Sequence, residues 1–158
     1  MADDPDLEQA RLTIERLFQA SLAASDPVTA VRESLVWNGH DLIVEGQRLD
    51  APEGVHIVAV GKAAAAMATG ALTALGTTVI SGVVVTKDGH VDRNLPDRIQ
   101  VFEAAHPIPD QRGVDATQAV LRSLQALRPG VAVLALISGG GSALLEAALT
   151  RENLRQAL

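Results

Sequence analysis

A continuous apolar run, Val131–Ile137, halts at Ser138-Gly139-Gly140-Gly141-Ser142 and gives way to the helix-compatible Ala143-Leu144-Leu145. An unbroken β-branched and aliphatic run bounded by glycines is the pattern of a strand covered on both faces. Three consecutive glycines let the backbone take positive φ and gather several N–H groups into one small volume. A helix opening near Ser142 would add its free N–H groups and the positive end of its dipole. Together these predict a seat for an anion such as phosphate or carboxylate, with the flanking serines as hydroxyl donors. The competing reading is a plain Gly-rich connector between strand and helix.

The same grammar repeats upstream. His56–Val60 reads as a buried strand ending at Gly61-Lys62, and Ala63–Leu75 as the helix after it. Ile80–Thr86 is a second strand, ending in Lys87-Asp88-Gly89-His90, and Arg98–Glu103 a third, followed by His106-Pro107-Ile108-Pro109-Asp110. Asp110–Leu127 is a helix stopped by Pro129-Gly130, after which Val131–Ile137 is the fourth strand. Strands alternating with helices predict parallel βαβ units, hence a three-layer α/β/α, Rossmann-like domain with a mainly parallel sheet of four or five strands. Every polar, glycine-bearing turn follows a strand, which collects these turns at the carboxyl edge where open α/β sheets bind ligands.

Ahead of this pattern, Leu7–Ala24 has a helical period of apolar residues, and Asp26-Pro27 opens a second helix running to about Leu35. Asp41–Leu49 is a short edge strand or an extended loop. The expected organisation is an N-terminal helical segment, 1–50, packing on an α/β domain, 51–158.

Composition narrows the function. Of the 158 residues 47% are hydrophobic, which excludes a disordered chain, yet no apolar run approaches the ~20 residues of a membrane helix. The acidic start argues against a secretory signal, so a cytoplasmic location is expected. The absence of cysteine excludes disulfides and thiolate metal sites. A net charge of −6 without a Lys/Arg cluster argues against nucleic acid as partner. Phe18, Trp37 and Phe102 are the whole aromatic set, so the core must be built from Ala, Val, Leu and Ile.

Among single residues, Lys62 stands out. A cation at a helix's first turn opposes the dipole, and it makes sense where an anionic ligand occupies the site; a solvated lysine at the sheet edge is the alternative. Neither GxxxxGK[ST] nor GxGxxG is present. Lys87, Asp88 and His90 suit phosphate binding or acid–base work, or a plain charged turn. Pro107 restricts His106 to an extended conformation, and Asp110 reads first as the cap of the following helix. No metal-ligand spacing, Ser-His-Asp triad or carboxylate pair can be asserted from spacing.

Four stretches taken in order, IVAVGKAAAAMA (Ile57–Ala68), GVVVTKDGH (Gly82–His90), EAAHPIPD (Glu103–Asp110) and LISGGGSALL (Leu136–Leu145), resemble the glycerate 2-kinases of the MOFRL / DUF4147 family. Some members carry the older name hydroxypyruvate reductase. The resemblance spans most of the chain and implies ATP-dependent phosphorylation of D-glycerate to 2-phosphoglycerate with Mg²⁺. It implies a catalytic role for Lys62, and substrate or phosphate contacts from Ser138, Gly139, Gly140, Gly141, Ser142, Lys87, His106 and Asp110, with no protein metal site. Two positions depart from the family pattern. Asp88-Gly89-His90 stands where Tyr-Gly-His is common, and Ala105-His106-Pro107 where Gly-His-Pro is common. The first removes an aromatic and adds a negative charge beside the phosphate region.

The family runs roughly two to three times this length, at ~100–200 residues per domain, with its active site between two domains. The resemblance therefore implies an N-terminal portion, ending within the helical pattern Arg151–Leu158 and inactive as a kinase by itself. Two other functions compete. An NAD(P)H-dependent hydroxypyruvate reductase is opposed by the missing GxGxxG and by the lack of an acidic residue closing a second strand. A non-catalytic anion-binding or assembly module, with a homodimer among its outcomes, would follow from apolar surface left uncovered.

Overall fold

The computed structural model describes residues 5–92 and 94–146. The core element is strand β4, Val55–Val60, buried along its whole length. It lies between β5, Val79–Lys87, and β7, Ala132–Ile137, and β6, Ile99–Ala104, pairs outside β5. All three pairings are parallel, giving a four-stranded sheet in the order β6-β5-β4-β7. The α/β architecture is thus as the alternating pattern predicts.

Period-two alternation assigns each face of this sheet to one helix. Ile57 and Ala59 of β4, with Leu134 and Leu136 of β7, pack under α3, Ala64–Leu75. Val58, Val60, Val83 and Val85 pack under α4, Gln111–Gln125. Alanine-rich α3 takes close neighbours: α2, Pro27–Ser34, crosses it at Gly70, where any Cβ would strike the Val28 backbone. Asp26 caps α2 by accepting from Thr29 N at 2.9 Å, and Asp110 caps α4 by accepting from Arg112 N at 3.1 Å. Both caps stand where the sequence places them.

Three expectations need correction. First, residues 35–50 are not helical but form an antiparallel three-stranded sheet: β1, Leu35–Trp37; β2, Asp41–Val44; β3, Gln47–Asp50. The β2–β3 turn is Glu45-Gly46, with φ of 47° and 78°, the two positive values that a two-residue hairpin turn requires. Buried Asp41 anchors this sheet by accepting from Asn38 and pairing with His40 and Arg48, and those hydrogen bonds lower its pKa to about 2. Second, β7 is not covered on both faces. Leu134 and Leu136 are buried, whereas Val133 and Ile137 are 45% and 75% exposed, because among the described residues β7 is an edge strand and α4 lies chiefly over β5 and β6.

Third, α1, Pro5–Ala24, forms as the period predicts but lies exposed along its described length, Phe18 and Ile14 included, so it does not pack on the domain. The helical pattern read at Arg151–Leu158 lies outside the described residues. Among the described residues no helix is long and apolar enough to cross a membrane.

Candidate functional site

The chain enters the sheet at β4, moves to β5 through α3 on one face, and reaches β7 on the other side of β4 through α4 on the opposite face. The crevice between the carboxyl ends of β4 and β7 is therefore the point where the winding reverses, the place such sheets bind ligands. Gly61-Lys62 leaves one strand there and Ser138–Ser142 leaves the other.

Backbone hydrogen bonds stitch these two loops together. Ser138 N donates to Val60 O at 2.9 Å and Lys62 N to Gly139 O at 3.0 Å. Ser138 Oγ accepts from Ala63 N at 3.0 Å and so caps the start of α3. The Ser138 hydroxyl is thereby turned into the structure, while Ser142 stays exposed. Gly61, at φ 121°, allows this approach, since a Cβ on it would sit 2.6 Å from Ser138 O. Gly140 takes φ 90° and opens α5, Gly141–Leu144. At four residues α5 is a single turn, so the helix dipole foreseen near Ser142 is slight. The nest survives in another form: the Gly139 and Gly140 N–H groups meet no acceptor among the described residues.

Lys62 and His106 close over Gly140. A Cβ there would lie 3.3 Å from Lys62 Cε and 2.8 Å from His106 Nε2. The His106–Pro107 peptide is cis. On the other flank His90 Nδ1 lies 3.1 Å from Lys62 O. Lys62, His90, Thr69 and Asp92 line a polar depression of about 380 Å³. Lys62 is exposed, and among the described residues neither it nor Lys87 joins an ion pair. A lysine outside any ion pair, beside two amides without acceptors at a sheet's carboxyl edge, has the chemistry to attract an anion.

Of the residues singled out in the sequence, Lys62, His106, Gly139 and Gly140 meet at one point, with His90 beside them. Gly141 supports the loop from below against Val60 and Ile137. Lys87 ends β5 and links to this group through its carbonyl, which accepts from His90 N at 3.1 Å. Asp110 is committed elsewhere: its carboxylate accepts from Ala105 N, Arg112 N and Arg112 Nε. Arg112, unremarked in the sequence, also grips Asp88 with both terminal nitrogens. Hydrogen bonds from Arg112 hold both carboxyls below the usual carboxylate range and push the guanidinium's own pKa up.

A larger groove of about 570 Å³ runs between α4 and β7, lined by Val58, Val60, Val120, Leu124, Val133 and Ile137. Its walls are apolar and suit no anion. His40, Asp41 and Asp50 converge on the small antiparallel sheet, but Arg48 already pairs with both aspartates.

Comparison with known proteins bears on this site. Residues 13–157 match the family described as Domain of unknown function (DUF4147). The chain is 37% identical over 146 residues to the D-glycerate 2-kinase of Thermotoga maritima, covering 92% of this chain and 32% of that protein. It is 38% identical over 138 residues to an Agrobacterium vitis protein named for hydroxypyruvate reductase, covering 86% of this chain and 28% of that one. The crystal structure of glycerate kinase from Thermotoga maritima superposes with a TM-score of 0.75 at 35% identity, covering 95% of this chain and 34% of that chain. The chain thus spans about a third of the length of the relatives it matches.

Proposed function

Because the chain belongs to the DUF4147 family, whose members here include glycerate 2-kinases, we propose that it supplies the phosphate-holding part of a kinase. The reaction is ATP-dependent phosphorylation of D-glycerate to 2-phosphoglycerate. One observation carries this reading: free Lys62 stands beside the unsatisfied Gly139 and Gly140 amides at the β4/β7 reversal.

ATP supplies the phosphoryl group. Its bond to the β,γ-bridging oxygen would break, leaving ADP, as one forms from the glycerate 2-hydroxyl oxygen, whose proton is lost to solvent, and the transferring group carries charge on its equatorial oxygens throughout. Such transfer calls for positioning and positive electrostatics more than for covalent chemistry. Lys62 answers that charge with a cation, and the glycine amides answer it with dipoles fixed in advance. His106 stands beside Gly140 as Lys62 does, and the His90 ring meets the Lys62 carbonyl, so both imidazoles border the place proposed for the phosphate.

The residues present fit the phosphates better than the metal. Among the described residues the carboxylates of this mouth are engaged: Asp92, in the depression itself, accepts from Thr69 Oγ1 at 3.2 Å and Asn94 N at 2.9 Å, Asp88 and Asp110 are held by Arg112, and Glu103 by Gly89 N at 2.8 Å. They do not form a Mg²⁺ ligand set.

A reductase is the weaker reading. The loop after β4 lacks the glycine fingerprint, β5 ends in Lys87, and the Asp88 carboxylate beyond it belongs to Arg112. A coupled assay separates the two. This chain, and a chain of the relatives' length that contains it, would be offered D-glycerate with ATP and Mg²⁺, then hydroxypyruvate with NADH. The kinase reading expects glycerate-dependent ADP release by the longer chain. NADH oxidation without ADP release overturns it.

A further inference from the structure

Arg112 is the second residue of α4, where the helix dipole disfavours a cation. Its position makes sense only through what it holds. Nη1 and Nη2 grip the two Asp88 oxygens at 2.5 and 2.9 Å, and Nε donates to Asp110 Oδ2 at 2.7 Å. Single exposed ion pairs contribute little, but a bidentate fork shared between two carboxylates fixes geometry as well as charge.

Both carboxylates belong to loops of the anion site. Asp88 lies two residues before His90, whose ring meets Lys62 O, and Gly89 N is tied to Glu103. Asp110 closes the loop 105–110 through Ala105 N, and that loop carries His106 to Gly140. Without Arg112, two like charges would stand in the loops that flank Lys62. They would repel an incoming anion and offer Lys62 partners of its own.

We propose that Arg112 is a specificity-determining residue of this site: by neutralising Asp88 and Asp110 it keeps the mouth around Lys62 receptive to phosphate-type anions. The proposal rests on the anion-site reading above and deepens it. It also accounts for Asp88 at a position where an acid otherwise opposes the site's purpose: the acid is present together with its own counter-charge.

Inorganic phosphate is the probe, titrated into the 158-residue chain at low ionic strength and followed by the amide and histidine resonances, with thermal melting as the folding control. Arg112→Gln is expected to weaken phosphate binding roughly three- to tenfold, the order of effect of one uncompensated charge near a binding site in a screened medium. Asp88→Asn is expected to tighten it by about threefold on the same reasoning. The double variant R112Q/D88N is expected to recover most of the loss. Charge explains such recovery, whereas a purely structural role for Arg112 predicts none.

Unchanged affinity in a folded Arg112→Gln chain overturns the proposal, as does a double variant that stays weak. If Arg112→Gln fails to fold, Asp88→Asn decides, and affinity equal to or below that of the parent overturns the proposal. A parent chain that binds no phosphate overturns it too. Phosphate binding that depends on Arg112, without glycerate phosphorylation by the longer chain, would uphold this inference and sink the kinase reading instead.

Discussion

Lys62 and His106 both crowd the position a side chain at Gly140 would take, leaving less room than one methyl group needs: 3.3 Å to Lys62 Cε and 2.8 Å to His106 Nε2. Gly139, one residue earlier, has nothing within 4 Å of the same position and no positive φ. The two glycines therefore do different things, although the sequence presents them alike.

Gly140→Ala is expected to destabilise the fold by about 1–3 kcal/mol, because alanine at φ 90° is strained, and to displace the lysine and the imidazole together. Phosphate affinity should fall with it. Gly139→Ala should leave both within error, which parallel melting curves and phosphate titrations would check.

Lys62→Ala tests the chemistry without disturbing the core, since the side chain is exposed and joins no ion pair among the described residues. Its melting temperature should match the parent's. In a chain of the relatives' length, kcat for glycerate phosphorylation should fall about a hundred- to a thousandfold, as when one fixed charge-stabilising donor is removed. Turnover near the parent's would remove Lys62 from the mechanism.

Far from this mouth, at the other end of β4, His56 is 2% exposed and shared between Ser81 Oγ at 2.7 Å and Ser123 Oγ at 3.2 Å. Burial lowers its pKa, so the folded chain holds the neutral ring. Below the unfolded value of about 6.5 the unfolded state binds the extra proton, and stability falls as pH falls. Above that value the contribution is complete. Melting temperatures from pH 7.5 to 5.5 should decline for the parent and decline less for His56→Gln; parallel curves would show that His56 does not set this dependence.

The strands and helices of the parallel sheet were legible because each is a local signal: an apolar run, a capping aspartate, a glycine or proline stop. The two-residue turn at Glu45-Gly46 was legible in principle and masked by its charged first residue, which seldom takes positive φ. What local patterns cannot carry is partnership across the chain. Asp88 and Arg112 stand 24 positions apart, and His56 and Ser123 stand 67 apart. Nothing near either residue announces the other. Strand order is hidden for the same reason: Val131–Ile137 has the composition of a central strand, and only the crossover through α4 makes it an edge. The anion site was readable as a set of loops. That Ser138 serves as a cap, and Asp110 as an anchor, was not.

The position of β7 at the rim of the sheet has a mechanical consequence for the glycine loop that follows it. Among the described residues this strand is bonded along one side only, to β4, and on its α4 side it borders an apolar groove. Hydrogen-bonded edges of this kind open locally at a fraction of the global unfolding free energy. The Gly139 and Gly140 amides thus hang from an edge strand, whereas Lys62 follows the central one. In the proposed receptor Lys62, rooted at the end of β4, would supply the rigid jaw and the glycines the compliant one.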